Sequence, residues 1–287
     1  MPKIDVNGIG IAYDIIGDGE QSAIITPGGR FTKDTPGVRQ LAEKLAEGGL
    51  KTVIWDRPNC GESDISFAGE TESLQNADAL AGLLRALGLG KTLVIGGSAG
   101  SRVSLLAASR HPEQVAGLFI LWMSGEPMGL AILAVHYGFA SGHAANNGGM
   151  EAVAALPEWQ ESIERNGGNR DRILAQDPKA FIAKMQRWTA SYFPIPGSPI
   201  PDMKPEDFAK LTMPAMVLRS GESDLAHPRV TSEQVHALIK GSHIAEPPWP
   251  DTEWNDRGKE REKGLFVRYP LLAPQILEFA REIAVPA

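Results

Sequence analysis

The chain has 287 residues, of which 43% are hydrophobic and 22% are charged, a composition typical of a globular protein with a sizeable core. Its formal net charge is −7 and no basic run stands out, so we expect no nucleic-acid partner. The single cysteine, Cys60, excludes an internal disulfide and a cysteine-built metal cluster, and we expect no metal site.

The N-terminal segment, MPKIDVNGIG, lacks the positive and apolar regions of a secretory signal. No apolar run in the sequence approaches the roughly 20 residues that span a bilayer, so we expect a cytoplasmic protein without a membrane partner. Two short β-like runs, IDVNG and GIAYDIIG, meet at the pair Asn7 and Gly8, which favours a tight hairpin turn.

Strand and helix signals then alternate. Apolar strand runs, SAIITPGG, KTVIWDR, KTLVIGGS and VAGLFILWMSG, are separated by amphipathic helical stretches such as SLQNADALAGLLRALGLG. Strands that alternate with helices predict a mostly parallel sheet with helices on both faces.

The alternation breaks after Gly125. Helix-like stretches such as DPKAFIAKMQRWTASYF follow, separated by Gly, Asn and Pro, and no good strand signal accompanies them. Alternation resumes with PEDFAKLT and MPAMVLRSG and continues to the final helix-like run, LLAPQILEFAREIA. We therefore predict a core formed by residues 1–126 and 206–287, and a helical lid formed by residues 127–205.

The run VIGGSAGS places Ser98 in a G-x-S-x-G pattern between a strand and a helix. In a nucleophile elbow, small flanking residues let the chain turn sharply and expose the serine. The N-terminus of the following helix supplies positive potential and free N–H groups to a developing oxyanion. A Gly-rich turn with a helix-capping serine is the alternative interpretation.

Four segments in order resemble the α/β-hydrolase superfamily, in particular its capped esterase, aminopeptidase and carbon–carbon hydrolase branch. TPGG follows the third strand, where the family usually has His-Gly, and WDRPNCGESD resembles the family's Asp-x-x-x-x-Gly-x-Ser segment. The elbow is the third segment, and RSGESDLAHP, which resembles the Gly-x-x-Asp loop that carries the family's acid, is the fourth. The resemblance spans nearly the whole chain. It implies an α/β-hydrolase fold with a mostly parallel central sheet, helices on both faces and a helical lid insertion.

This resemblance also implies roles for individual residues. Ser98 would be the nucleophile and Asp224 the acid of a catalytic triad. Glu126 is an alternative acid, because it follows the sixth strand, where some family members carry that residue.

The oxyanion hole implied by the resemblance consists of backbone N–H groups. One would come from Ala99 and the other from Gly29 or Arg30. Since N–H donors need no particular side chain, Pro27 in the place of the family's usual histidine is compatible with this role.

The catalytic histidine of the family lies on the loop after the last strand, but that loop here reads PDTEW and has no histidine. His227 is our first choice for the base, because its loop must lie at the same edge of the sheet as Ser98. Alternatively a carboxylate of the last loop, Asp251 or Glu253, takes the proton, since burial near aromatic rings raises a carboxyl pKa. In a third interpretation, hydrolysis is lost and the pocket only binds a ligand.

Several residues are candidates for the substrate pocket. Arg30 would leave the oxyanion turn near the pocket, where a guanidinium can bind a substrate carboxylate through two hydrogen bonds. Three tryptophans are candidates for an apolar lining between core and lid: Trp122, Trp188 and Trp249.

Together these features predict a serine hydrolase that acts on a small ester, lactone or activated carbonyl substrate. Its expected partner is this small molecule, and no cofactor is implied. Two alternatives remain: a carbon–carbon bond hydrolase or lyase that uses the same serine, and a non-catalytic homologue that binds a small molecule.

Overall fold

An eight-stranded sheet forms the centre of the protein, for which a computed structural model describes residues 2–193, 195–260 and 264–284. The strands are Lys3–Val6 (β1), Ile9–Ile16 (β2), Ser22–Thr26 (β3), Lys51–Trp55 (β4), Thr92–Gly97 (β5), Val115–Leu121 (β6), Ala215–Leu218 (β7) and His243–Ala245 (β8). Their order is β1-β2-β4-β3-β5-β6-β7-β8. β2 pairs antiparallel with β1 and β4, and the other pairs are parallel. The predicted mostly parallel sheet is therefore confirmed.

The first hairpin forms where the sequence predicted it. Val6 pairs with Ile9 across a two-residue turn, and Asn7 and Gly8 have φ angles of 56° and 80°. A tight turn of this kind requires positive φ at both central positions, which asparagine and glycine adopt at low cost.

The helices, in chain order, are Val38–Glu47 (α1), Glu72–Ala86 (α2), Ala99–Arg110 (α3), Glu126–Ala134 (α4), Ala140–Ala154 (α5), Pro157–Arg165 (α6), Gly168–Leu174 (α7), Pro178–Ala190 (α8), Pro205–Phe208 (α9), Arg229–Leu238 (α10), Glu253–Lys259 (α11) and Ala273–Ala284 (α12). A π-helical turn at Val135–Phe139 joins α4 to α5. Within the three described ranges, none of these helices has the length and apolar character needed to cross a lipid bilayer.

Helices cover both faces of the sheet, as predicted. Alternate side chains of each buried strand point to opposite faces. Ile24 of β3 therefore belongs to an apolar cluster with α2, α3 and α10, whereas its neighbour Ile25 belongs to one with α1 and α12. Because both faces are covered, the central strands β3 and β5 are buried along their whole length.

The chain between β6 and β7 forms a layer that we call the helical insertion, comprising α4 to α9. Among its described residues it is helical, apart from a single bridge between Ile195 and Ser198. It has its own apolar cluster, in which Trp159 and Phe181 pack against Phe67 from the loop after β4. The boundaries of a lid at residues 127 and 205 stay a prediction.

Candidate active site

Ser98 lies at the sharp turn between β5 and α3. Its backbone angles, φ 57° and ψ −122°, are in a region that costs a non-glycine residue about 1–3 kcal/mol. The turn is tight enough that a Cβ atom at Gly100 would lie 1.9 Å from the carbonyl oxygen of Thr26, and one at Gly96 would lie 2.4 Å from that of Gly100. The two glycines of the G-x-S-x-G pattern are therefore required for close backbone approach.

Ser98, His227 and Asp224 form a continuous hydrogen-bonded chain. The Nε2 atom of His227 is 2.8 Å from Oγ of Ser98, and its Nδ1 atom is 3.0 Å from Oδ2 of Asp224. The side chains of His227 and Asp224 are 2% and 1% exposed. A carboxylate only accepts hydrogen bonds, so Nδ1 carries the imidazole proton and Nε2 is free to accept one from the serine hydroxyl.

The three residues meet because of the loop after β7. Oδ1 of Asp224 accepts hydrogen bonds from the backbone N–H groups of Ala226, at 3.0 Å, and His227, at 2.9 Å. These contacts fold the loop back on itself and place the imidazole beside its own acid. Ser98 follows β5 and this loop follows β7. Since both strands run parallel, their carboxyl ends share one edge of the sheet.

The segment after β8 forms a wall behind the imidazole. The ring of Trp254 meets that of His227 edge to face, with 4.3 Å between centroids, and the ring of Trp122 lies 6.3 Å from the imidazole and 5.3 Å from Trp254. Trp249 packs against Trp122 at 5.3 Å. Trp249 and Trp254, which follow β8, thus add two rings to the aromatic packing around His227.

The carboxylates proposed as alternative bases are engaged with arginines. Asp251 is 57% exposed, and its Oδ1 atom is 3.4 Å from Nη1 of Arg229. Glu253 is buried between Arg268, at 2.8 Å, and Arg257, at 3.3 Å. Burial raises the pKa of Glu253, and the two arginines oppose that rise. Among the described side chains His227, and neither of these carboxylates, is hydrogen-bonded to Ser98. The geometry therefore favours His227 as the base.

Glu126, the alternative acid, is exposed at the first turn of α4. It lines a separate surface cavity together with Pro127 and Gln234. The carboxylate that contacts His227 is that of Asp224, so the geometry favours Asp224 in that role.

Backbone N–H groups lie close to the serine on two sides. Ala99 is the first residue of α3, and the first N–H groups of a helix have no acceptor within the helix. On the other side, a Cβ atom at Gly28 would be 3.1 Å from Oγ of Ser98. The loop that carries the N–H groups of Gly29 and Arg30 therefore passes directly beside Ser98.

Arg57 holds this loop, a role that the sequence interpretation missed. Its buried guanidinium donates from Nη2 to the carbonyl oxygen of Gly28, at 3.1 Å, and also to that of Gly29. In a trans peptide the N–H points opposite to the carbonyl. Fixing these two carbonyls therefore fixes the N–H groups of Gly29 and Arg30. In the sequence, the one feature that points to Arg57 is its place directly after Asp56 in WDRPNCGESD, the segment that resembles the family.

A cavity of about 380 Å³ opens onto the serine and the imidazole. Its core side includes Ser98, His227 and Arg30, and its other side belongs to the helical insertion. Leu133, His136, Tyr137 and Trp254 also line it. A cavity of this volume fits a small molecule.

The three predicted tryptophans are not among the described residues that line this cavity. Trp122 lies behind His227, and Trp249 packs against Trp122. Trp188 is buried inside the helical insertion, 5.9 Å from the ring of Phe67. Each of these three rings packs against other aromatic side chains, and this packing supports the residues that line the cavity.

Arg30 lines the cavity and is held on three sides. Its Nη1 atom is 2.6 Å from Oε1 of Glu72, which also accepts a hydrogen bond from Nδ2 of Asn59 at 2.8 Å. The guanidinium lies over the ring of Trp159 at 4.1 Å and that of Tyr137 at 5.2 Å.

His136 also faces the cavity. Burial lowers its pKa to about 4, and the charges of Arg30 and Arg57 contribute to the lowering. Its imidazole is therefore neutral near pH 7.

Comparison with known proteins is consistent with this geometry. A family model described as the alpha/beta hydrolase fold matches residues 28–138. The serine hydrolase BPHL of Homo sapiens is 22% identical over 250 residues, which cover 84% of this chain and 76% of that protein. The 2-hydroxy-6-oxo-6-phenylhexa-2,4-dienoate hydrolase of Comamonas testosteroni is 26% identical over 121 residues, 42% of each chain.

Solved structures share the fold over nearly the whole chain. The enol-lactonase from Burkholderia xenovorans superimposes with a TM-score of 0.61 and 17% identity, covering 98% of this chain and 100% of that one. At this identity the similarity shows a common fold.

Proposed function

Since this chain belongs to the α/β-hydrolase superfamily, as its sequence predicted, we propose that it is a serine hydrolase acting on a small ester, lactone or activated carbonyl substrate. The observation that carries the proposal is the hydrogen-bonded chain from Ser98 through His227 to Asp224, with 2.8 Å and 3.0 Å between the paired atoms. Its position beside a cavity of about 380 Å³ gives a small carbonyl compound access to the serine.

In this proposal His227 acts as general base and then as general acid. As Oγ of Ser98 attacks the carbonyl carbon, Nε2 of His227 takes the hydroxyl proton, and the resulting imidazolium is stabilised by Asp224. The same proton is then given to the leaving group as the acyl–serine ester forms. Water, deprotonated by His227, hydrolyses that ester and regenerates the serine.

Backbone N–H groups stabilise the oxyanion of each tetrahedral intermediate. Ala99 supplies one from the start of α3, and Gly29 or Arg30 supplies the other from the loop held by Arg57. Because these donors are fixed before the reaction, no reorganisation is needed when charge develops.

A second candidate is carbon–carbon bond hydrolysis by the same serine. It is favoured by the similarity over 121 residues to a relative named as a 2-hydroxy-6-oxo-6-phenylhexa-2,4-dienoate hydrolase. Both candidates require the activated serine, whereas a non-catalytic binder does not.

Labelling with a phosphonate probe tests the proposal. We expect the wild-type protein to react at Ser98 and to hydrolyse p-nitrophenyl acetate. Ser98→Ala should lose labelling and about 10⁴-fold or more of its turnover, because the nucleophile is removed. Ser109→Ala is the matched control, since Ser109 lies at the other end of α3 and its hydroxyl donates only locally, to the carbonyl of Leu106 at 3.0 Å. Turnover by Ser98→Ala at the level of the control would refute the proposal.

A further inference from the structure

Arg30 lines the cavity, and two nitrogens of its guanidinium lack a hydrogen-bond partner among the described residues. Its side chain is 8% exposed, so water does not solvate it freely. Nη1 is paired with Glu72, but Nε and Nη2 have no hydrogen-bond partner among the described residues. A buried donor without an acceptor is destabilising, because it has given up its hydrogen bonds to water. The site is therefore stabilised by any ligand that supplies acceptors to this edge.

The two unpaired nitrogens form the edge that recognises a carboxylate. The N–H bonds of Nε and of one Nη2 hydrogen run parallel, and two carboxylate oxygens can accept them at once. The orientation of this edge is preset, because Glu72 holds Nη1 and the rings of Trp159 and Tyr137 lie against the guanidinium plane. A ligand thus meets an arginine whose conformational freedom is already restricted.

Two further guanidiniums lie in the same region as Arg30. Arg57 is buried and donates to the backbone carbonyls of Gly28 and Gly29, which are neutral. Arg102 is buried as well and donates to the hydroxyls of Ser73 and Tyr192. Among the described residues, neither guanidinium is hydrogen-bonded to a carboxylate.

Carboxylates lie in that region as well. Glu72 is buried beside Arg30, and Asp202 is near Arg102, where it accepts a hydrogen bond from Thr71 at 2.7 Å. Glu158 and Glu161 line the cavity on the side of the helical insertion, so the recognition of an anion depends on the unpaired donors of Arg30.

We propose that the substrate carries a carboxylate that binds the Nε and Nη2 edge of Arg30 while its scissile carbonyl group reaches Ser98. This inference rests on the proposed function and adds the chemical class of the substrate. Both residues line the same cavity, so one small molecule can contact the two together.

Half-esters of dicarboxylic acids provide the test. Mono-p-nitrophenyl succinate, glutarate and adipate are compared with the methyl p-nitrophenyl diesters of the same acids, which lack the negative charge. We expect wild-type kcat/KM to favour the acid over the diester by about 10-fold or more at one chain length, because a charged hydrogen bond is gained. Arg30→Met should lower kcat/KM for that acid by about 10- to 100-fold more than for the diester, because only the acid loses a charged hydrogen bond. Arg30→Lys should give an intermediate loss, because it keeps the charge but not the parallel N–H pair.

Arg187→Met is the matched control, since Arg187 is exposed on α8 of the same helical insertion and carries the same charge. It should leave both substrates unaffected. A second measurement uses the wild-type protein alone, so that it does not depend on a variant folding. The dicarboxylate of the preferred length should slow phosphonate labelling of Ser98, and its dimethyl ester at the same concentration should not.

Absence of an acid preference at all three chain lengths would overturn the inference, as would equal effects of Arg30→Met on acid and diester. Equal protection by the dicarboxylate and its dimethyl ester would do the same. In each case, labelling of Ser98 and turnover of the diester show whether the proposed serine hydrolase survives.

Discussion

In the proposed mechanism Asp224 has two tasks, because the proposed acid and base lie on one loop. One carboxylate oxygen accepts hydrogen bonds from two backbone N–H groups of that loop, at 2.9 Å and 3.0 Å. The other accepts a hydrogen bond from Nδ1 of the imidazole at 3.0 Å. The same side chain therefore shapes the loop and orients the base. Where the histidine comes from a separate loop, these two tasks fall to different parts of the chain.

The sequence predicted Ser98, Asp224 and His227, which the structure brings together, because each lies within a short segment with a recognisable pattern. His227 was accessible to this reasoning since it follows Asp224 by three residues. Arg57 and Glu72 were not, because the groups that they bind lie 29 and 42 residues away along the chain. Their contacts depend on how the loops after β3 and β4 meet.

The pH dependence of stability tests the environment of His136. Its pKa is lowered to about 4 from the ordinary value of 6.5, so the unfolded chain binds a proton between these pH values that the folded chain does not. The free energy of unfolding should therefore rise with pH across this window. Its contribution from His136 should be about 2–3 kcal/mol lower at pH 4.5 than at pH 7. Asp56 acts in the opposite direction, because burial raises its pKa to about 6. Comparison with a variant is thus needed to isolate His136.

In His136→Asn the free energy of unfolding from urea titrations should depend less on pH than in the wild type, by that 2–3 kcal/mol between pH 4.5 and pH 7. His143→Asn, at an exposed position of α5, serves as control. Identical pH dependence in His136→Asn and the wild type would contradict the buried, neutral state of this imidazole.

At the scale of elements, the loops that follow β3 and β4 act as one unit at the active site. Arg57, on the second loop, binds two carbonyl oxygens of the first and so holds the peptide groups beside the serine. Because it acts through these peptides, Arg57 is a positioning residue. Its contribution should appear in the transition state, where the oxyanion needs those N–H groups, and less in substrate binding.

Arg57→Met should therefore lower kcat for p-nitrophenyl acetate by about 10- to 100-fold while changing KM by less than about threefold. The rate of phosphonate labelling should fall with kcat, since the probe also develops an oxyanion. Circular dichroism checks that the variant is folded. A folded Arg57→Met with wild-type kcat would show that the loop keeps its shape without this side chain.

At the scale of the whole molecule, the fold was predictable because periodicity reports burial. Strands such as β3 and β5 are buried throughout and mainly apolar, since helices cover both faces, and the helices between them repeat their apolar residues every three to four positions. The break in alternation after Gly125 likewise predicted the stretch that the structure shows as helical.

Which aromatic side chains reach the cavity was not predictable in the same way. Trp188 faces Phe67 across 121 residues of chain, and Trp254 reaches the cavity because α11 begins beside the loop after β7. Sequence patterns assign a side chain to a face of its own element. They do not assign it to a gap between elements that are distant in the chain.

Whether His227 is the base is tested most directly by the turnover of p-nitrophenyl acetate by His227→Ala. Three further variants are measured beside it: His243→Ala, Asp251→Asn and Glu253→Gln. His243 is the matched control, because it is an exposed histidine at the start of β8. We expect turnover to fall by about 10³-fold or more in His227→Ala alone, since the serine would lose its proton acceptor. Near-normal turnover by a folded His227→Ala, or an equally large loss in Asp251→Asn or Glu253→Gln, would contradict it.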